Sequence, residues 1–160
     1  MQIDKTYTNK SKITYCDNVP SISIMIIDHS RIPAKPLELV IDTGAFITVI
    51  RKETAERLGL RVVDMRGCLI SGFSERGMVC DLRLIPTMVF CGFRINDVLV
   101  ATPHDDGINV TEVLGMNILE NFSFGMDFGS EEIFAGVRGE FISQKPRYKC
   151  GEISVFRDIA

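Results

Sequence analysis

Leu39-Val40-Ile41-Asp42-Thr43-Gly44-Ala45-Phe46-Ile47-Thr48-Val49-Ile50 is the stretch on which the reading of this chain turns. An apolar strand runs straight into a carboxylate, two small residues follow within three positions, and apolar residues resume at Ile47, Val49 and Ile50. A charge at the end of a buried strand is costly unless it is solvated, paired or hydrogen-bonded. Gly44 has no Cβ, so the backbone can turn there and a ligand or another chain can approach closely. Thr43 offers a hydroxyl that could lock neighbouring backbone. The stretch therefore predicts a fixed carboxylate at a strand end. Asp-Thr-Gly alone is a common turn tripeptide, and the flanks carry the information.

Working outward, short apolar runs alternate at period two. Ile22, Ile24 and Ile26 alternate with Ser21, Ser23 and Met25, and Leu37, Leu39 and Ile41 alternate with Glu38 and Val40. Asp28–Pro36, with two prolines, reads as the loop between them. Cys80, Leu82 and Leu84 alternate up to Pro86; Met88–Phe90 turns through Cys91-Gly92 into Phe93–Ile95 and Val98–Val100. Two segments read as helical. Lys52–Gly59 has strong helix formers and a glycine where a left-handed C-terminal cap is wanted. Met116–Phe122 places Ile118, Leu119 and Phe122 on one face. The pattern predicts a mainly β chain with one or two short helices, built as a barrel or sandwich.

The 160 residues are 46% hydrophobic and 24% charged, enough for one globular domain with its own core and too apolar for intrinsic disorder. A formal net charge of −3 without a dense Lys/Arg run argues against nucleic-acid binding, which needs a concentrated positive footprint. No apolar run reaches the length of a membrane span, and the first ten residues lack the order of a secretory signal. The five cysteines, Cys16, Cys68, Cys80, Cys91 and Cys150, form an odd set without a C-x-x-C pair, as free thiols of a cytoplasmic protein would.

With its flanks, Asp42-Thr43-Gly44-Ala45 resembles the signature of the retropepsin-like aspartic proteases: apolar residues, Asp-Thr-Gly-Ala, two variable residues, then Thr and apolars. Glu112–Leu119 resembles the family's apolar-apolar-Gly step into a short helix, and Gly115 lies 73 residues after Asp42, a distance that suits the single-lobe form. Phe122–Phe128 resembles the closing strand. The resemblance covers roughly 21–135, leaving 1–20 and 136–160 of the single domain as terminal extensions. It implies a closed, barrel-like acid-protease fold in which the Asp42 loop and the strand before Gly115 cross, Gly115 giving room at the crossing. It also implies a β-hairpin flap over the cleft, for which Cys68–Val79 is the best candidate.

The chemistry of such a protease needs two carboxylates sharing one proton. One acts as base on a water while its protonated partner polarises the scissile carbonyl. Two like charges about 3 Å apart cannot both ionise, so their titration belongs to the pair. This chain holds one Asp-Thr-Gly, and neither Asp127-Phe128-Gly129 nor Asp106-Gly107 offers a second copy. The second carboxylate is then Asp42 of an identical chain, related by a twofold axis.

The resemblance thus implies a homodimeric aspartic endopeptidase with Asp42 as catalytic residue, a peptide or protein as substrate, and neither metal nor cofactor. Thr43 and Gly44 would support the dyad, Thr43 by a bond across the dimer axis. Gly44, Ala45, Phe46, Ile47, Val113 and, from the flap, Ser71, Gly72 and Phe73 would line the groove. The terminal extensions, including a strand-like Ile153–Phe156, could interleave between chains. Two departures motivate an alternative: a dimeric peptide-binding or assembly module with weak or no catalysis. Phe46 and Ile47 stand where retroviral members carry acidic residues, and the flap tip has only Gly72 and Gly77.

Other features have plainer readings. His104-Asp105-Asp106, between Pro103 and Gly107, reads as a solvated turn. Cys68, Cys80 and Cys91 match no zinc spacing and read as buried small hydrophobes. Ser71 and Ser74 form no nucleophile elbow.

Overall fold

The computed structural model describes residues 9–27, 35–71 and 77–137. Among the described residues, nine strands and two short helices follow in order: β1 (Asn9–Cys16), β2 (Val19–Ile27), β3 (Lys35–Ile41), α1 (Lys52–Arg57), β4 (Arg61–Ile70), β5 (Met78–Phe90), β6 (Phe93–Pro103), β7 (Val113–Leu114), α2 (Met116–Leu119), β8 (Phe122–Asp127) and β9 (Glu132–Val137). The mainly β class and the two short helices are as the sequence predicts.

The strands share one nine-stranded sheet whose main path runs β4-β5-β2-β1-β9-β8, with β3 paired to β2 and β7, and β6 paired to β5. The sheet is not closed, which corrects the expected closed barrel. Its path ends on β4 and β8, and β3, β6 and β7 branch from it. Two hairpins turn on two-residue loops with both central residues at positive φ, Asp17-Asn18 (50° and 64°) and Cys91-Gly92 (46° and 80°). Such loops match the right-handed twist of the strands they join. The first of them brings β1 into the chain's own sheet, antiparallel to both β2 and β9, so the sheet starts ahead of position 21.

Three local expectations shift. The Asp28–Pro36 loop is shorter at its C-terminal end, because Lys35 and Pro36 already pair with β2, and 28–34 lie outside the described residues. Pro86 does not end a strand: β5 runs through it, and the β5–β6 ladder pairs Ile85 with Val98 and Thr87 with Asn96 on either side of the proline. Asp97, opposite Pro86, adopts φ 55°, so the missing N–H falls where the partner strand is distorted. The second helix stops at Leu119 and Phe122 opens β8, yet Ile118, Leu119 and Phe122 are all buried as their spacing predicts.

Two apolar clusters make the core. The larger packs Ile22, Ile24, Leu39, Ile50, Met88 and Leu114 with both helices. The second holds Val40, Ile47, Val49, Cys68, Cys80, Leu82, Ala101 and Val113. The strand β3 serves both, Leu37 and Leu39 on one face and Val40 on the other, which is why Val40 is buried where simple alternation would expose it. Likewise β5 buries Cys80 and Leu82 in the second cluster and then Ile85, Met88 and Phe90 in the first, leaving Leu84 only half-buried. No helix among the described residues is long and apolar enough to cross a membrane.

Candidate active site

The end of β3 and the short β7 run parallel, Val40 opposite Val113 and Ile41 opposite Leu114. Val49 bridges to Val113 and to Ala101. This brings the Asp42 loop against Gly115. Asp42 N donates to Leu114 O at 3.1 Å, Met116 N to Ala45 O at 2.7 Å, and Asn117 N to Phe46 O at 2.9 Å. The crossing leaves no room for a side chain: a Cβ on Gly115 would lie 2.5 Å from the carbonyl carbon of Ile47 and 2.8 Å from Thr48 N. The reason for Gly115 predicted from the sequence is thus met in atoms.

Within the loop, Gly44 N donates to Asp42 Oδ1 at 2.8 Å, and Ala45 N to Asp42 O at 3.2 Å. A Cβ on Gly44 would sit 3.2 Å from that same carboxylate oxygen, tighter than most Cβ contacts. Asp42 is half-buried and Thr43 and Gly44 are exposed, so the carboxylate is held by backbone with its loop open to a partner or ligand. Among the described residues no hydrogen bond reaches the Thr43 hydroxyl. The local lock expected from it is supplied instead by Asp42 itself and by Thr48.

Thr48 is wholly buried. Its hydroxyl donates to Asn117 Oδ1 at 2.9 Å and accepts from Gly115 N at 3.1 Å, and its backbone N–H donates to the same Asn117 oxygen at 2.8 Å. Asn117 Nδ2 in turn donates to Leu99 O at 2.9 Å. One amide therefore ties the strand after Asp42, the Gly115 turn and β6 together. Neighbouring Glu112 accepts from Arg51 N and Arg51 Nη2, both at 3.1 Å, and holds the Arg51 guanidinium proton more tightly than usual. Neither Thr48 nor Asn117 was singled out for a role from the sequence. The available signals were a threonine inside an otherwise apolar run and an asparagine two residues after Gly115.

Of the other predicted site residues, Ile47 and Val113 are buried together in the second cluster, with Ala45 and Phe46 half-buried against its edge. Single-chain packing thus turns Ile47 and Val113 inward. The segment expected to form the flap falls on the β4–β5 hairpin, whose last pairs are Leu69 with Val79 and Ile70 with Met78. Ser71 is exposed just past β4, while Gly72 and Phe73 lie outside the described residues, as do His29, Cys150 and Ile153–Phe156. A surface hollow lined by Arg51, Glu53, Thr54, Arg57, Gly107, Ile108 and Asn109 contains none of the predicted site residues.

The turn 103–107 corrects one reading. His104 is not simply solvated, because its Nδ1 lies 2.7 Å from Oδ1 of the buried Asp81, which also accepts from Arg66 N at 2.8 Å. Burial works to raise the Asp81 carboxyl, but the Arg66 N–H, His104 and Arg83 outweigh it and hold the group below the usual carboxylate range. Arg66 has φ 52° at an irregularity of β4, and a Cβ on Gly67 would strike the Asp64 side chain at 2.6 Å. Asp81 therefore pins a bulge in β4.

An Asp-Thr-Gly loop crossing an apolar-Gly turn in a mainly β chain is the arrangement of a retropepsin-like aspartic-protease fold. The family profile described as "gag-polyprotein putative aspartyl protease" matches residues 29–121, more than half of the chain, and the chain belongs to that family. Among solved structures, a retropepsin-like aspartic protease from Rickettsia conorii is similar at 18% identity and a TM-score of 0.54, over 81% of this chain and 91% of that one. The EIAV protease complexed with the inhibitor HBY-793 is similar at 23% identity and a TM-score of 0.51, over 68% of this chain and 92% of that one. These likenesses bear on the fold. A comparison with curated proteins finds no match.

Proposed function

We propose that the chain is a homodimeric aspartic endopeptidase in which Asp42 of each protomer contributes one carboxylate of the dyad. The observation that carries the reading is the Asp42 loop itself. Its carboxylate is held by the Gly44 N–H and stands half-buried at the β3–β7 crossing; among the described residues Asp127 accepts a like bond from Gly129 N, but it lies exposed at the β8–β9 turn, away from that crossing. The ionised member takes a proton from water as the oxygen attacks the scissile carbonyl, and the protonated member gives its proton to the carbonyl oxygen. Collapse of the resulting diol expels the amine, which takes up a proton, and restores a singly protonated pair.

In this reading Thr43 and Gly44 support the dyad. Gly44, Ala45, Phe46, Ile47 and Val113, with Ser71, Gly72 and Phe73 from the hairpin, form the groove for an extended peptide. The half-burial of Ala45 and Phe46 at the edge of the second cluster supports an apolar groove wall, without the acidic grip of retroviral members, whereas Ile47 and Val113 back that wall from the core. The single domain would span 1–160, with its protease-like core at about 21–135 and an additional sheet strand, β1, drawn from the N-terminal extension. Free thiols at Cys16, Cys68, Cys80 and Cys91 support a cytoplasmic setting.

The test is incubation of wild-type and Asp42→Asn protein with a diverse peptide library from about pH 4 to 7, read by mass spectrometry with molecular mass measured in parallel. Cleavage by a wild-type dimer and none by the Asp42→Asn dimer is the expected result. Cleavage retained in Asp42→Asn, or a wild-type protein that stays monomeric, overturns the reading.

A further inference from the structure

Cys68 on β4 and Cys80 on β5 are direct partners in the antiparallel register of the hairpin. Residues so opposed have Cα atoms about 4.5–5.5 Å apart, inside the range of about 4.4–6.8 Å that a disulfide needs. Both are free thiols, 4% and 0% exposed, and both lie in the second apolar cluster. Each thiol shifts the acidity of the other across the pair, and the Cys80 S–H donates to Met78 O at 3.7 Å. The remaining described cysteines have no such neighbour: Cys91 packs in the other cluster, where burial pushes its thiol up to about 12, and Cys16 is exposed on β1.

From this juxtaposition we infer that Cys68 and Cys80 form a redox-modification site, in which a small peroxide converts the opposed thiols into a reversible cross-strand disulfide. The neighbouring Cys80 side chain lowers the proton affinity of Cys68, and Cys68 together with burial raises that of Cys80. Cys68, at 4% exposure against 0% for Cys80, is the sulfur that peroxide reaches first. Its thiolate sulfur attacks one oxygen of hydrogen peroxide, forming an S–O bond as the O–O bond breaks, and hydroxide leaves to become water with the proton that Cys68 had released. The Cys80 sulfur then attacks the sulfenic sulfur. The S–S bond forms, the S–O bond breaks, and a second water leaves with the Cys80 proton. One peroxide is reduced to two waters and two thiols are oxidised to one disulfide.

The consequence is a covalent tie two residue pairs below the end of the hairpin, since Leu69–Val79 and Ile70–Met78 lie beyond it. The site does not depend on the peptidase reading, because it follows from strand register.

The experiment exposes reduced, full-length protein to hydrogen peroxide, caps remaining thiols with N-ethylmaleimide and digests with trypsin. Cleavage after Arg66, Arg76 and Arg83 leaves Gly67–Arg76 and Gly77–Arg83 connected only through a Cys68–Cys80 bond. The expected result is that linked pair, with two fewer reactive thiols per chain and full recovery by dithiothreitol. In Cys80→Ser the same treatment should leave Cys68 as a sulfenic acid that dimedone labels. Capping of both residues as in the untreated protein overturns the inference. So does irreversible oxidation of Cys68 without a bond, or a bond from either cysteine to Cys16, Cys91, Cys150 or another chain.

Discussion

The Gly115 Cα faces the backbone of Ile47 so closely that a methyl group there would lie 2.5 Å from its carbonyl carbon. Two segments more than sixty residues apart in sequence meet here backbone to backbone, and the position of Asp42 depends on that meeting, since Asp42 N is bonded to Leu114 O.

Gly115→Ala is therefore expected to force the two segments apart. Overpacking of this kind destabilises by about 1–3 kcal/mol, and because the atoms struck are backbone, the upper end applies. Urea unfolding checks it, with Gly125→Ala as the comparison: no atom lies within 4 Å of a Cβ at that position. Equal midpoints for the two variants would refute the steric account.

Asn117→Ala should be costly for a different reason. It leaves Thr48 N and Leu99 O without their partner and frees the Thr48 hydroxyl in a buried setting. Each unmade buried hydrogen bond costs about 1–3 kcal/mol, so a loss of about 2–4 kcal/mol is expected by chemical denaturation.

At Asp42 the structural and chemical parts separate. Asp42→Asn retains a side-chain oxygen able to accept from Gly44 N, whereas Asp42→Ala removes the acceptor. A solvent-exposed bond of this kind is worth about 0.5–1.5 kcal/mol. Thermal melts should show Asp42→Asn close to wild type and Asp42→Ala lower, while both lack peptidase activity. An Asp42→Asn protein that melts well below Asp42→Ala would contradict the loop geometry.

Asp81 predicts an acid limb of stability. Its folded-state carboxyl is held below its unfolded value, so its contribution is present above about pH 3.9 and is lost as pH falls through the lower folded value. Asp81→Asn should flatten the stability profile below about pH 4 and lower stability at neutral pH, where the ion-paired carboxylate is absent. Denaturation midpoints measured across that range check it; parallel profiles for the two proteins would show that the His104 and Arg66 contacts do not hold the charge.

Much of the fold was legible because its signals are local. Period-two alternation marks the inward faces of β2 and β3, and Cys91-Gly92 marks a hairpin. The Asp42 loop was readable because an apolar strand runs into a carboxylate and a glycine, and Gly115 was readable through the resemblance to the retropepsin-like proteases. Pro86 misled because its effect depends on the partner strand: opposite a distorted Asp97, a missing N–H does not end the ladder. His104 misled because its partner, Asp81, sits 23 positions away on another strand.

The sequence by itself determined that this is a mainly β chain with a carboxylate on a glycine-supported strand end, and its resemblance to the retropepsin-like proteases added the crossing at Gly115. The first two properties follow from which side chains can be buried and where the backbone turns without a Cβ. Only the tertiary structure decided that the sheet stays open, that Thr48 and Asn117 rather than Thr43 hold the loop within one chain, and that Cys68 faces Cys80. These depend on register and on hydrogen bonds between distant segments, and a single strand carries no record of what it will lie beside.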